Sequence, residues 1–255
     1  MKLCVLASGS KGNSTYIESN NSKILIDLGM SCLYIEKSLN SIDVRPREID
    51  GILITHTHSD HINGLKVFLK KYNTCLYVTE KIYKELKKQI EIENYILIED
   101  NFKINDINIE IFKTSHDAED SNGYIISDES SSAAYITDTG YINRKYHKKL
   151  QNKDYYVIES NHDIEMLMNG SYPYHLKQRI LGDRGHLSNK ACADYMVDFI
   201  GEKTKGVILI HLSEENNDKS LAYKTFTNTL KDNKKEIEQV IISLQNEPTE
   251  VIEIW

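Results

Sequence analysis

The densest chemistry in the chain lies in seven residues, Thr55-His56-Thr57-His58-Ser59-Asp60-His61, where three imidazoles and a carboxylate follow an apolar strand pattern at 51–54. Side chains two apart in an extended segment point the same way, so His56 and His58 can face one ion. Asp60 and His61 fall at the turn into the amphipathic pattern that starts at Ile62, where they can face a second ion. Nitrogen and carboxylate donors without cysteine suit zinc, manganese or iron. Four potential ligands in six residues after a buried strand exceed what core packing needs, so the segment predicts a metal centre.

Those side chains need a rigid frame. Short β-branched runs at 24–26, 52–54, 156–158, 207–210 and 240–242 read as buried strands, while Ile107, Ile109 and Ile111 alternate with Asn108 and Glu110 as in a strand with one wet face. Apolar stripes at helical spacing, Ile62/Leu65/Leu69, Ile82/Leu86/Ile90, Cys192/Met196/Ile200 and Ala222/Phe226/Leu230, predict helices that each lay one face on a sheet. Strands and then strands mixed with helices recur in two halves, approximately 1–120 and 121–255, which divide near Asp120 to Asn122. That order predicts an α/β (α+β) fold of two sheets packed face to face with helices outside, a four-layer αββα sandwich. With 40% apolar residues and no Gly/Ser/Pro-rich linker, residues 1–255 are expected to form one domain.

Composition removes several functions. A net charge of −7 argues against a broadly basic surface that grips duplex nucleic acid through many phosphates, although local patches remain open. The lysine clusters at 81–88, 144–149 and 231–235 read as solvated helix faces. No apolar run approaches the ~20 residues of a membrane span, and residues 3–7 are too short for a signal peptide, so the expectation is a cytoplasmic protein without a membrane partner. Cys4, Cys32, Cys75 and Cys192 form no C-x-x-C pair and read as packed, reduced thiols.

Residues 55–61 resemble the H-x-H-x-D-H signature of the metallo-β-lactamase superfamily. The resemblance continues in Lys113-Thr114-Ser115-His116, in Tyr135-Ile136-Thr137-Asp138-Thr139-Gly140 and in the strand at 207–210 that runs into His211. It implies that His56, His58 and His116 hold one divalent ion, that Asp60, His61 and His211 hold another, and that Asp138 bridges them. Two such cations, roughly 3.5–4 Å apart, would clamp the oxygens of a displacement and lower the pKa of a bridging water toward about 7, making hydroxide the nucleophile. Asp60 would both ligate and orient it.

The bridging aspartate implies a phosphodiesterase or a glyoxalase II-like thioesterase or lactonase rather than a β-lactamase. Segments 7–14, 159–163, 185–189 and 211–217 further resemble the YycJ/WalJ family of nuclease-associated cytoplasmic proteins. This resemblance implies a 5′-exonuclease-like enzyme acting on DNA rather than RNA, or on a small phosphodiester. It assigns His186 to catalysis beside the phosphate, where it could stabilise charge or protonate the leaving oxygen, and Asn161 and Ser188 to substrate. Intervals between motifs leave no room for the RNA-binding arm of ribonuclease Z. The Gly-rich segment at 8–14 reads first as a turn. A non-catalytic module with the same fold would be expected to have lost ligands, and all seven are present.

Overall fold

Strand β1 (Lys2–Ala7) sends Leu3 and Val5 into one apolar core and Cys4 and Leu6 into another, because successive side chains of a strand leave on opposite faces. A strand buried on both sides belongs to an inner layer. In the computed structural model, which describes residues 1–254, β1 is followed by β2 (Ser14–Glu18), β3 (Lys23–Ile26), β4 (Gly51–Leu53), β5 (Cys75–Val78) and β6 (Tyr95–Leu97). The chain then enters a second sheet through β7 (Phe102–Ile104), β8 (Ile107–Lys113), β9 (Asn122–Ser127), β10 (Ser132–Ile136), β11 (Tyr155–Glu159), β12 (Gly206–Ile210) and β13 (Gln239–Ile242), and β14 (Ile252–Glu253) returns to the first. The sheet orders are β14-β1-β2-β3-β4-β5-β6 and β13-β12-β11-β10-β9-β8-β7.

Each sheet opens as an antiparallel meander and continues in parallel, at β3 to β6 and at β10 to β13. Parallel neighbours need crossovers, and helices supply them. These are α1 (Cys32–Ser41), α2 (Ser59–Ile62), α3 (Leu65–Tyr72) and α4 (Glu80–Leu86) on the first sheet, and α5 (His147–Leu150), α6 (Ile164–Asn169), α7 (Tyr174–Leu181), α8 (Asn189–Phe199) and α9 (Lys219–Asp232) in the second half. One apolar cluster joins α1, α3 and α4 to the first sheet, another fills the space between the sheets, and a third joins α8 and α9 to the second sheet. Three cores between four layers are the expected αββα sandwich.

The expected strands are present to within a residue or two at their ends. The Ile62/Leu65/Leu69 stripe is divided between α2 and α3, because Gly64 passes so close to Met30 that a Cβ there would lie 2.2 Å from its carbonyl oxygen. The chain changes sheet between Leu97 and Phe102, upstream of Asp120 to Asn122, where β9 begins instead. Cys4, Cys32 and Cys192 are buried free thiols, and Cys75 is half-buried. No helix among the described residues is long and apolar enough to cross a membrane.

Candidate metal centre

Three strands hand the chain to a residue with left-handed backbone: Asp27 follows β3 (φ 62°), Asp138 lies just past β10 (φ 47°), and His211 follows β12 (φ 57°). This conformation is uncommon outside glycine and concentrates at functional sites. All three residues are buried. They converge at the carboxyl ends of the parallel strands, the usual ligand-binding edge of such sheets.

Asp27 organises the histidine-rich turn. Its carboxylate accepts from Thr55 N and Thr55 Oγ1, both at 2.8 Å, and lies 2.7 Å from His61 Nδ1. That contact turns His61 Nε2 toward Asp138 Oδ2 at 3.2 Å and Asp60 Oδ2 at 3.5 Å. Segment 8–14 is a turn, as expected, and it also touches the site. Asn13 Nδ2 is 3.1 Å from His61 Nε2, Asn13 N donates to Asp60 O, and Ser8 Oγ accepts from His211 N at 2.7 Å.

The ligand atoms fall into four overlapping groups, each within 4.8 Å: His56, His58 and His116; Asp60, His61 and His211; Asp138 with His56 and His61; and Asp138 and His211 with Glu159 and His186. The structure thus brings together the seven residues expected as ligands, with Asp138 between the two triads. Its Oδ1 faces His116 Nε2 at 3.7 Å and His211 Nδ1 at 3.5 Å, while Oδ2 faces His61. His56 Nε2 and His211 Nε2 are buried without a hydrogen-bond partner among the described residues. His58 Nδ1 and His116 Nε2 confront each other at 3.2 Å. Native interiors rarely leave such atoms unpaired, and nitrogen and carboxylate donors converging in this way fit divalent metal ions.

Two carboxylates escaped the sequence reading in addition to Asp27. Glu159, fully buried at the end of β11, has Oε1 2.7 Å from both His186 Nδ1 and His211 Nδ1, and its Oε2 accepts from Thr139 N and Leu187 N. The available signal was positional: a charged residue closing an otherwise apolar parallel strand, like Asp138 and His211 beyond theirs. Asp117 lies 3.4 Å from His116 Nε2 and accepts from Arg179 Nε at 2.5 Å.

Burial opposes protonation of His61 and His211, but the surrounding carboxylates outweigh it and hold both well above the ordinary histidine value. His186 is likewise raised, mainly by Glu159 against the effect of burial. Burial, reinforced by neighbouring His61, pushes His56 well below that value. Asp138 is buried, which disfavours its charge, yet His211 and His61 keep it well below the usual carboxylate range.

A cleft of about 260 Å³ opens over this cluster, and Ser10, Tyr172, Arg179, Arg184, His186 and Ser213 help to line it. Arg184 Nε donates to His116 O at 3.1 Å. Asn161 borders the cleft, but its Nδ2 donates to His211 O at 2.9 Å. Ser188 sits elsewhere: it is the N-cap of α8, its hydroxyl accepts from Ala191 N, and it is absent from the cleft lining.

Residues 22–212 match the family model described as a beta-lactamase superfamily domain. The chain is 44% identical to the exodeoxyribonuclease WalJ of Streptococcus pneumoniae, covering 90% of this chain and 88% of the relative. It is 38% identical to the exodeoxyribonuclease YycJ of Bacillus anthracis, covering 89% and 88%. Among solved structures, the metallo-beta-lactamase fold protein YhfI from Bacillus subtilis superimposes with a TM-score of 0.75 at 15% identity over 98% of this chain and 99% of the other. Ligand order, sandwich architecture and near-full-length similarity agree: the chain belongs to the WalJ/YycJ family of the metallo-β-lactamase superfamily.

Proposed function

We propose that this protein is a metal-dependent phosphodiesterase that removes nucleotides from DNA ends. The observation that carries the reading is the pairing of a buried histidine and aspartate cluster with two arginines in the cleft above it. Only five arginines occur in this acidic chain, and two of them are there. The reacting group of a thioester or lactone is uncharged, whereas a phosphodiester carries its anion at the reacting centre, directly beneath the guanidinium groups.

His56, His58 and His116 on one side, Asp60, His61 and His211 on the other, and Asp138 between them would hold two divalent ions, zinc or manganese being the best match to the donors. Such ions supply Lewis-acid charge to the oxygens of an in-line displacement. Arg179 and Arg184 each use Nε within the protein, which leaves their terminal amino groups to bind phosphate oxygens. Glu159 holds His186 through Nδ1, so the other ring nitrogen is available to donate a proton to the departing oxygen. Asn161 ties the loop that carries His211, and orienting that histidine is the role its contact supports.

Purified protein loaded with Mn²⁺ or Zn²⁺ should release nucleotides stepwise from end-labelled DNA and hydrolyse bis(p-nitrophenyl) phosphate. Resemblance predicts release from the 5′ end and little action on RNA. Absence of cleavage of every phosphodiester would overturn the proposal, and turnover of lactoylglutathione instead would establish the thioesterase reading.

A further inference from the structure

We infer that a second cavity, separated from the catalytic cleft by one thin wall, receives the base of a nucleotide adjoining the scissile phosphate. The inference rests on the phosphodiesterase reading and names a subsite for it. The cavity measures about 500 Å³, within the range of small-molecule sites, and Ser213 lines both it and the cleft.

The wall is made by two segments laid side by side. His211 N donates to Ser8 Oγ at 2.7 Å, and Ser8 N donates to Leu244 O at 3.1 Å. Gln245 clips the same wall from the far side, accepting from Lys11 N at 3.0 Å and donating to Gly12 O at 3.2 Å. Gly9 (φ 141°) allows this approach, since a Cβ there would stand 2.5 Å from Gln245 Oε1. Lys11 Nζ and Glu214 pair across the top at 2.7 Å. His211 therefore serves the metal cluster while its neighbour Leu212 faces the cavity.

The chemistry of the lining selects the occupant. Leu212 and Leu244 offer apolar surface for a ring face. Ser243 is 2% exposed, and its hydroxyl has no hydrogen-bond partner among the described residues. Asn217 and Gln245, by contrast, spend their amides within the protein. The Asn246 carboxamide at the mouth also has no hydrogen bond among the described residues. A buried hydroxyl and a free carboxamide can read the polar edge of a heterocycle. Three rim carboxylates, Glu214, Asp218 and Glu247, outnumber the two ammonium groups near them, Lys219 in the lining and Lys11 paired with Glu214, so the cavity disfavours a second phosphate. A planar, uncharged base satisfies all of these conditions.

The test combines Ser243→Ala and Asn246→Ala with DNA ends in which one of the first three residues is abasic. Each variant should raise KM for intact DNA roughly tenfold, the scale of one base contact, and lose far less on bis(p-nitrophenyl) phosphate, which has no base. Removing the base at the sensitive position should cost the wild type at least that factor and abolish the difference between wild type and variants. A hydrolysis-resistant phosphorothioate end carrying 2-aminopurine at that position should change fluorescence on binding to wild type, and Ser243→Ala should need roughly tenfold more protein to reach the same change. Equal losses on both substrate types, or unaltered cleavage of abasic ends, would overturn the inference while leaving the phosphodiesterase reading intact. Failure of the wild type on every phosphodiester would instead remove the reading and the subsite together.

Discussion

Asp27 never reaches solvent, and its oxygens are committed to Thr55 and His61. It acts on the candidate metal centre only through them, fixing which nitrogen of His61 faces inward. Carboxylates that hold a ligating histidine this way typically tune metal affinity ten- to a hundredfold. Asn tolerates left-handed backbone as Asp does, so Asp27→Asn isolates the charge from the geometry. We expect this variant to fold and to bind Mn²⁺ or Zn²⁺ roughly ten- to a hundredfold more weakly, as measured by competition with a chromogenic chelator. Unchanged affinity would mean that the buried carboxylate serves the fold alone. Glu159 holds His186 and His211 in the same manner, yet nothing local in Tyr155–Glu159 announces its two partners, which lie 27 and 52 residues downstream.

At the scale of elements, the chain distinguishes segments that make the frame from segments that dress it. The four-residue turn between β9 and β10 belongs to the frame. Asp128 accepts there from Ser130 N, Ser131 N and both serine hydroxyls. Partial burial opposes its ionisation, but these donors, together with the amino terminus 3.4 Å from Asp128 Oδ2, outweigh it and bring its pKa down to about 2. An unfolded aspartate titrates near about 3.9. The stabilisation is thus complete above that value and is lost as pH falls toward the folded one. Asp128→Ala should cost about 1–2 kcal/mol at pH 7, with the gap from wild type narrowing in urea melts as pH is lowered from 5 to 3. A gap independent of pH would show that charge is not its source. α7 belongs to the dressing: none of its residues is buried, so it has no core stripe to read, and it brings Arg179 to the cleft. α1 did carry a stripe, Cys32, Ile35 and Leu39, together with a capping Ser31, and was legible in principle.

Across the whole molecule, the candidate ligands come from both sheets. Residues 56–61 follow β4 of the first sheet, while His116, Asp138 and His211 follow β8, β10 and β12 of the second. Ions bound there would staple the two sheets, and ligands that bind only the folded state stabilise it by mass action. At a hundredfold excess over Kd the gain is roughly 2.7 kcal/mol, which for a chain of this size raises Tm by about 5–10 °C. Calorimetry with metal and with chelator should show that difference, and an equal Tm in both would exclude the staple. Ligand types, their order and the strands that precede them were legible because each is a local property of sequence, repeated at the end of an apolar run. Tertiary structure alone decided the rest: that Asp27 and Glu159 orient histidines from distant segments, that Ser188 caps a helix away from the cleft, and that Arg179 and Arg184 overhang it. Those roles depend on which strand ends meet across two packed sheets, and no spacing along one chain encodes a distance between its folds.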